Sequence, residues 1–172
     1  MTAANAPAER VCGKCNLCCK ILIIPALGKP DNVWCEHCEI GKGCRIYPDR
    51  PAMCRDFKCG YLRDPSLGEE WYPAKCHFVL RSDNNQLVVQ VDHQRPDAWK
   101  REPYHAAFQT MARNLYPRGG QIIVKVGARA IVVLPDRDVD LGLCEEGDRF
   151  TCTPEFTPSG VRWNAAKIAK AQ

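Results

Sequence analysis

Apolar and polar positions follow two regimes along this chain. From residue 11 to about 80 no long periodic stretch forms, because Pro25, Pro30, Pro48, Pro51, Pro65 and Pro73 interrupt the sequence. One apolar run, Ile21-Leu22-Ile23-Ile24, reads either as a short buried strand or as the end of a helix carrying Cys18 and Cys19. Arg50-Pro51-Ala52-Met53-Cys54-Arg55-Asp56-Phe57 reads as a helix start, with Pro51 at the first helical position. Such a segment is expected to have little core of its own.

Beyond residue 80 the pattern becomes regular. Asp83-Asn84-Asn85 is a turn signal, and Leu87-Val88-Val89-Gln90-Val91 predicts a strand. Pro103 opens a helix over 104–115, where Phe108, Met111, Ala112 and Leu115 recur at helical spacing. Pro117 and Gly119-Gly120 end it. Ile122–Val126 and Ala130–Leu134 predict two strands, with Gly127 in a tight hairpin turn. Trp163 to Ala171 reads as a short helix. The expected class is α+β: an irregular cysteine-rich metal-binding half packed on a small strand–helix–hairpin unit. The expected division is a disordered tail over 1–10, a cysteine-rich region over 11–80 and an α+β region over 81–172.

Composition alters this picture mainly through sulfur. The chain has 172 residues and 12 cysteines. Ten of those cysteines lie between Cys12 and Cys76. A chain of this length buries roughly 70% of its unfolded surface and does not need disulfides to fold. The first ten residues lack the apolar core of a secretory leader, and no run is long enough to span a bilayer. A reduced, cytoplasmic compartment is therefore expected. There, clustered cysteines point to metal or redox chemistry.

The spacing is that of thiolate ligands. Cys12-Gly-Lys-Cys15-Asn-Leu-Cys18-Cys19 opens the set, and Cys35-Glu-His-Cys38, Cys44 and Cys54 continue it. Two cysteines separated by two residues can turn both sulfurs toward one ion, and the gap from Cys18 to Cys35 fits a four-cysteine zinc template. Neighbouring side chains diverge by about 100° on a helix or about 180° on a strand. One mononuclear site holding Cys12 and Cys15 would therefore struggle to take both Cys18 and Cys19. The eight cysteines 12, 15, 18, 19, 35, 38, 44 and 54 would supply two ions or one polynuclear centre. Zinc and an iron–sulfur cluster both take four thiolates, so the ligand set leaves the metal open. Cys59 and Cys76 are weaker candidates. Cys144 and Cys152 read as buried structural thiols, and His37 and His77 as exposed histidines beside cysteine turns.

The formal charge of +4 is mild. Between Cys12 and Cys59 stand eight Lys or Arg against five Asp or Glu. Four thiolates overcompensate one Zn²⁺, so such cations would offset a metal site. Arg50 and Arg55 are the expected supports around it. No phosphate loop, Ser-His-Asp set or base-stacking aromatic stripe is present, so no catalytic residue can be named and nucleic acid is not the expected partner. A protein or a small molecule is.

The stretch Cys12-x₂-Cys15-x₂-Cys18-Cys19, followed by Cys38-x₅-Cys44-Arg45-Ile46-Tyr47-x₂-Arg50-Pro51-x₂-Cys54-Arg55-x-Phe57, resembles the CxxCxxCC zinc- or iron-chelating domain family, the YkgJ-type cysteine-cluster proteins. The resemblance implies metal binding by Cys12, Cys15, Cys18, Cys19, Cys38, Cys44 and Cys54. It implies no reaction, and it leaves Cys35 and Cys59 outside the shared pattern. The expected function is thus a metal-binding protein holding zinc or an iron–sulfur cluster. An iron–sulfur oxidoreductase or electron carrier and a zinc-stabilised nucleic-acid or protein interaction module are the alternatives.

Overall fold

A computed structural model describes residues 10–83, 85–145 and 147–168. Helices and strands are mixed in an α+β fold. The chain divides into two compact units, the break falling after Val79.

The first unit is built from short pieces: α1 (Leu17–Ile21), β1 (Cys38–Glu39), β2 (Gly43–Cys44), α2 (Ala52–Asp56), α3 (Gly60–Arg63) and α4 (Pro73–Cys76). Of the Ile21–Ile24 run only Ile21 belongs to a helix; Leu22 is already extended and Ile24 forms an isolated antiparallel bridge with Lys29. Ile21 closes α1 fully buried, whereas Ile23 is exposed. The α2 helix starts one residue later than expected, with Pro51 as its cap. The expectation of little core is corrected. Cys15, Leu17, Ile21, Cys59 and Val79 form a buried cluster, flanked by Phe57, Tyr61, Leu62 and Tyr72. Proline interrupts periodicity but not burial, and buried thiols pack as small apolar groups.

Of the expected tail, residues 1–9 lie outside the described residues. Arg10 is firmly held. Its guanidinium donates to the carbonyls of Tyr61, Asp64 and Pro65 at 2.9, 3.0 and 3.1 Å, and also to that of Leu67. It lies 4.3 Å from the centroid of the Tyr61 ring.

The second unit is organised by a five-stranded sheet with the order β3-β4-β5-β6-β7. Its strands are β3 (Phe78–Asp83, whose first two residues precede the break), β4 (Gln86–Val91), β5 (Gln121–Val126), β6 (Arg129–Val133) and β7 (Asp138–Leu143). Strands β4 and β5 run parallel, with α5 (Tyr104–Leu115) in the connection, as parallel neighbours require a crossover. Tyr104, Phe108 and Ala112 recur at intervals of four residues and are buried, while Met111 and Leu115 are half-buried. Ile122, Ile123 and Val124 are all buried, the continuous run of a strand covered on both faces. The β5–β6 hairpin is antiparallel, and Gly127 adopts the left-handed conformation its turn requires.

The expected helix over 163–171 does not form. Residues 163–168 belong to β9 (Gly160–Ile168), which pairs antiparallel with β8 (Arg149–Thr157) over their full length. Residues 169–171 lie outside the described residues. The burial period decides the matter: Trp163 and Ala165 are half-buried while Arg162, Asn164 and Ala166 are exposed, a period of two. The Trp163 ring sits 5.2 Å from that of Tyr116, a contact that fixes which face turns inward.

Candidate functional site

The cysteines of the first unit are positioned by a few tight backbone turns. Cys15 N donates to Cys12 O at 3.1 Å, closing a turn in which Gly13 takes a positive φ of 55°. A second turn closes from Cys38 N to Cys35 O at 2.9 Å. The two are tied together, since Cys35 N donates to Cys19 O at 3.0 Å. Cys38 and Cys44 face one another directly across the β1–β2 ladder. Asn16 Oδ1 accepts from Gly41 N at 2.8 Å, which joins the loop between those strands to the start of α1. Cys54 lies on α2.

Eight cysteines (12, 15, 18, 19, 35, 44, 54 and 59) line one cavity of about 580 Å³. Their environments differ. Hydrogen bonds between side chains link Cys12 to Cys18, Cys18 to Cys19 and Cys19 to Cys38. The Cys18 thiol lies between Cys12 and Cys19 and has one proton to share between them. Its hydrogen bond draws exposed Cys12 down to about 7 and Cys19 down to about 6. Cys18 itself is pushed up, first by those hydrogen bonds and then by burial. Burial, with the Cys19 charge beside it, pushes Cys38 up to about 12. Cys54 is raised by burial and then by Cys19, Cys35 and Cys44, which places it electrostatically with the same group.

Cys15 is 7% exposed and belongs to the apolar cluster with Cys59, although it also borders the cavity. Burial raises both thiols. Cys76 is fully buried, contacts the carbonyl of Phe78 at 3.2 Å and is pushed up to about 12 by burial. The structure thus sorts the cysteines into a hydrogen-bonded and electrostatic group around Cys12, Cys18, Cys19, Cys38, Cys35, Cys44 and Cys54, and a more apolar group of Cys15, Cys59 and Cys76. Among the described residues, no three His, Cys, Asp or Glu side chains gather as a group that could hold a metal ion. The donors suit a thiophilic centre in kind and number; their arrangement is a row of thiols rather than a closed cage.

Cations frame this row. Arg50 acts favourably on the thiolates of Cys12, Cys19 and Cys54, and its guanidinium lies 3.8 Å from the centroid of the Tyr47 ring. Arg55 is exposed at the cavity edge. Spacing gave no signal for Lys29. It is 6% exposed, donates to the carbonyls of Lys20 and Pro30 at 2.7 and 2.8 Å and to that of Leu22, and favours the Cys19 thiolate. Nor did spacing indicate Tyr72, whose hydroxyl donates to Cys12 O at 3.1 Å.

Four expectations about other residues need correction. Cys144 and Cys152 are half-buried rather than buried, with Cys152 Sγ 3.8 Å from the Tyr116 hydroxyl. His37 and His77 are half-buried rather than exposed. His37 lies 3.5 Å from the Glu36 carboxylate and borders the cavity. His77 takes a positive φ of 63° at the end of α4. Among the described residues no helix is long and apolar enough to cross a membrane. Compared with known proteins, the chain matches no family model, no curated protein and no solved structure.

Proposed function

We propose that the first unit is a metal-binding module, holding zinc or an iron–sulfur centre through the thiolates of its cysteine-lined cavity. The observation that carries this reading is the convergence of eight cysteines on one cavity, with a chain of thiol hydrogen bonds from Cys12 to Cys38. Metal binds thiolate, not thiol, and displaces protons as it binds. Cys12 and Cys19 are already drawn toward the thiolate form, and Arg50 and Lys29 supply positive charge beside them. The CxxCxxCC resemblance over roughly residues 12–59 supports the same chemistry. The ligands we assign are Cys12, Cys18, Cys19, Cys35, Cys44 and Cys54 on the cavity and Cys38 beside Cys19 outside its lining, with Cys15 at the apolar border. Gathering them around metal requires the sulfurs to draw together, so binding and local folding are coupled.

A reducing, cytoplasmic setting suits a set of free thiols. Bound zinc with four thiolates has no open position and would serve a structural role toward a protein or small-molecule partner. An iron–sulfur centre would supply electron transfer. The deciding experiment is elemental analysis with acid-labile sulfide determination on anaerobically purified full-length protein. Two zinc ions, or iron with sulfide, per chain is the expected result. A folded, reduced chain carrying neither rejects the reading.

The hydrogen-bonded pair Cys12 and Cys18 favours a second reading, dithiol–disulfide exchange. A disulfide between them would form with loss of two protons and two electrons to a disulfide oxidant. Metal-free protein that reversibly loses two titratable thiols in a glutathione redox buffer would select it.

A further inference from the structure

The cavity is larger than a thiolate centre requires. At about 580 Å³ it falls within the range of small-molecule sites, roughly 300–1,000 Å³. Its charged lining among the described residues is Arg10, Lys42, Arg50, Arg55 and Lys58, with no Asp or Glu. The cations are not equivalent. Arg10 is occupied by four backbone carbonyls, and Lys42 pairs with Glu39, which does not line the cavity. Arg50 is different. Its flat guanidinium rests on Tyr47, and among the described residues its buried Nε finds no hydrogen-bond partner. A buried donor without an acceptor is costly, so this orphan marks a place where a ligand acceptor would be favourable.

Beyond the cations, the eight cysteines, Asn16 and His37, the lining is largely apolar. Ile23, Tyr47 and Met53 line it while being about half exposed, at 56%, 56% and 45%. Deeper, Leu22, Phe57 and Leu62 border it and pack on the buried cluster. Apolar walls with one poised polar group are the usual build of a small-ligand site. Guanidinium matches the paired oxygens of carboxylate and phosphate equally well.

We propose that this cavity binds a small amphipathic organic anion, with a carboxylate or phosphate head on Arg50 and an apolar body against Ile23, Met53 and Leu22. The inference goes beyond metal binding and does not require it, because it rests on a lining without carboxylates, the orphaned Arg50 Nε and the apolar walls.

The test is calorimetric titration of the full-length chain with decanoate, decyl phosphate, decanol and butyrate, with metal content measured on the same samples. Decanoate or decyl phosphate should saturate at one per chain, and whichever binds identifies the head group. Decanol and butyrate, lacking the charge and the apolar body respectively, should bind at least about tenfold more weakly. Arg50→Gln should weaken the anion about tenfold, and Arg50→Lys should restore part of the loss. Should Arg50→Gln fail to fold, Ile23→Ser at an exposed position should weaken decanoate while sparing the fold. Saturation by the anion in metal-free protein supports the site and leaves the metal reading to its own elemental analysis. Metal-loaded protein that binds neither anion overturns the site and leaves the metal reading standing. Equal binding of decanol and decanoate, or unchanged affinity in Arg50→Gln, also overturns it.

Discussion

The ammonium of Lys29 donates to the carbonyl oxygen of Lys20 at 2.7 Å, so one lysine caps the helix on which another lies. The same Nζ reaches the carbonyls of Leu22 and Pro30. Helices end with orphan carbonyls, and α1 is too short to hold itself together without tertiary help. It carries Cys18 and Cys19, so a buried cation stabilises the backbone that presents two thiols.

Lys29→Met should therefore act on stability and on sulfur together. Removing the donor leaves three buried or half-buried carbonyls short of a partner, at a cost of about 1–3 kcal/mol. It also removes a positive charge that favours the Cys19 thiolate, so the pKa of Cys19 should rise. Urea unfolding and pH-dependent alkylation of Cys19 measure the two effects. A variant as stable as the parent would show that water satisfies those carbonyls equally well.

In reduced, metal-free protein the thiols should separate by pH. Cys12 is exposed and should reach half-maximal alkylation near pH 7, whereas buried Cys76, pushed up to about 12, should remain protected in the native state. Cys18 donates the hydrogen bond that lowers Cys12, so Cys18→Ala should move the Cys12 midpoint upward, toward the ordinary thiol value of 9.0. Short iodoacetamide pulses read by peptide mass spectrometry would reveal either pattern. A Cys12 midpoint that does not change when Cys18 is removed contradicts the assigned donor.

For metal content the two groups of cysteines should behave differently. Cys44→Ser and Cys54→Ser should lower bound metal, because these thiols stand with the Cys19 group. Cys76→Ser and Cys144→Ser should leave it unchanged, the first being sealed against Phe78 and the second lying in the other unit. Elemental analysis of the four variants checks this, and equal loss in Cys76→Ser and Cys54→Ser would mean the sorting is wrong.

In the second unit, the Tyr116 hydroxyl donates to the buried carbonyl of Val133 at 3.0 Å. Tyr116→Phe keeps the ring and its contact with Trp163 but removes this donor. The expected loss is about 1–3 kcal/mol in chemical denaturation, with metal binding unaffected. No measurable loss would show that the carbonyl is satisfied without the hydroxyl.

Much of this architecture was legible where local signals agreed with tertiary demand. Pro103 and the spacing of Phe108 and Ala112 placed α5, and Gly127 placed the β5–β6 hairpin, because the turn and the apolar period point the same way. The β8–β9 ribbon was hidden for the opposite reason. Ala165-Ala166-Lys167-Ile168 is composed of residues common in helices, and cross-strand pairing overrides that preference. Likewise, the two-residue cysteine spacings announced both backbone turns around the cavity. They could not announce that Cys19 meets Cys38, that Cys15 turns toward Cys59, or that Lys29 lies beneath α1. Those relations come from how distant segments pack, which spacing does not encode.

Arg10 has a consequence for anyone who shortens this protein. By fastening itself to the carbonyls of residues 61 to 67, it makes the intervening cysteine-bearing segment a hoop closed by hydrogen bonds rather than by a covalent bond. The entropy of closing a hoop grows only slowly with its length, so a single well-satisfied guanidinium can help keep so long a one shut. A truncation beginning at Val11 would retain every cysteine and still cut the fastening. The cysteine-bearing segment would then hang on a chain free to swing at its leading end, and any metal site built on those thiols, as proposed, would weaken without a single cysteine having been touched.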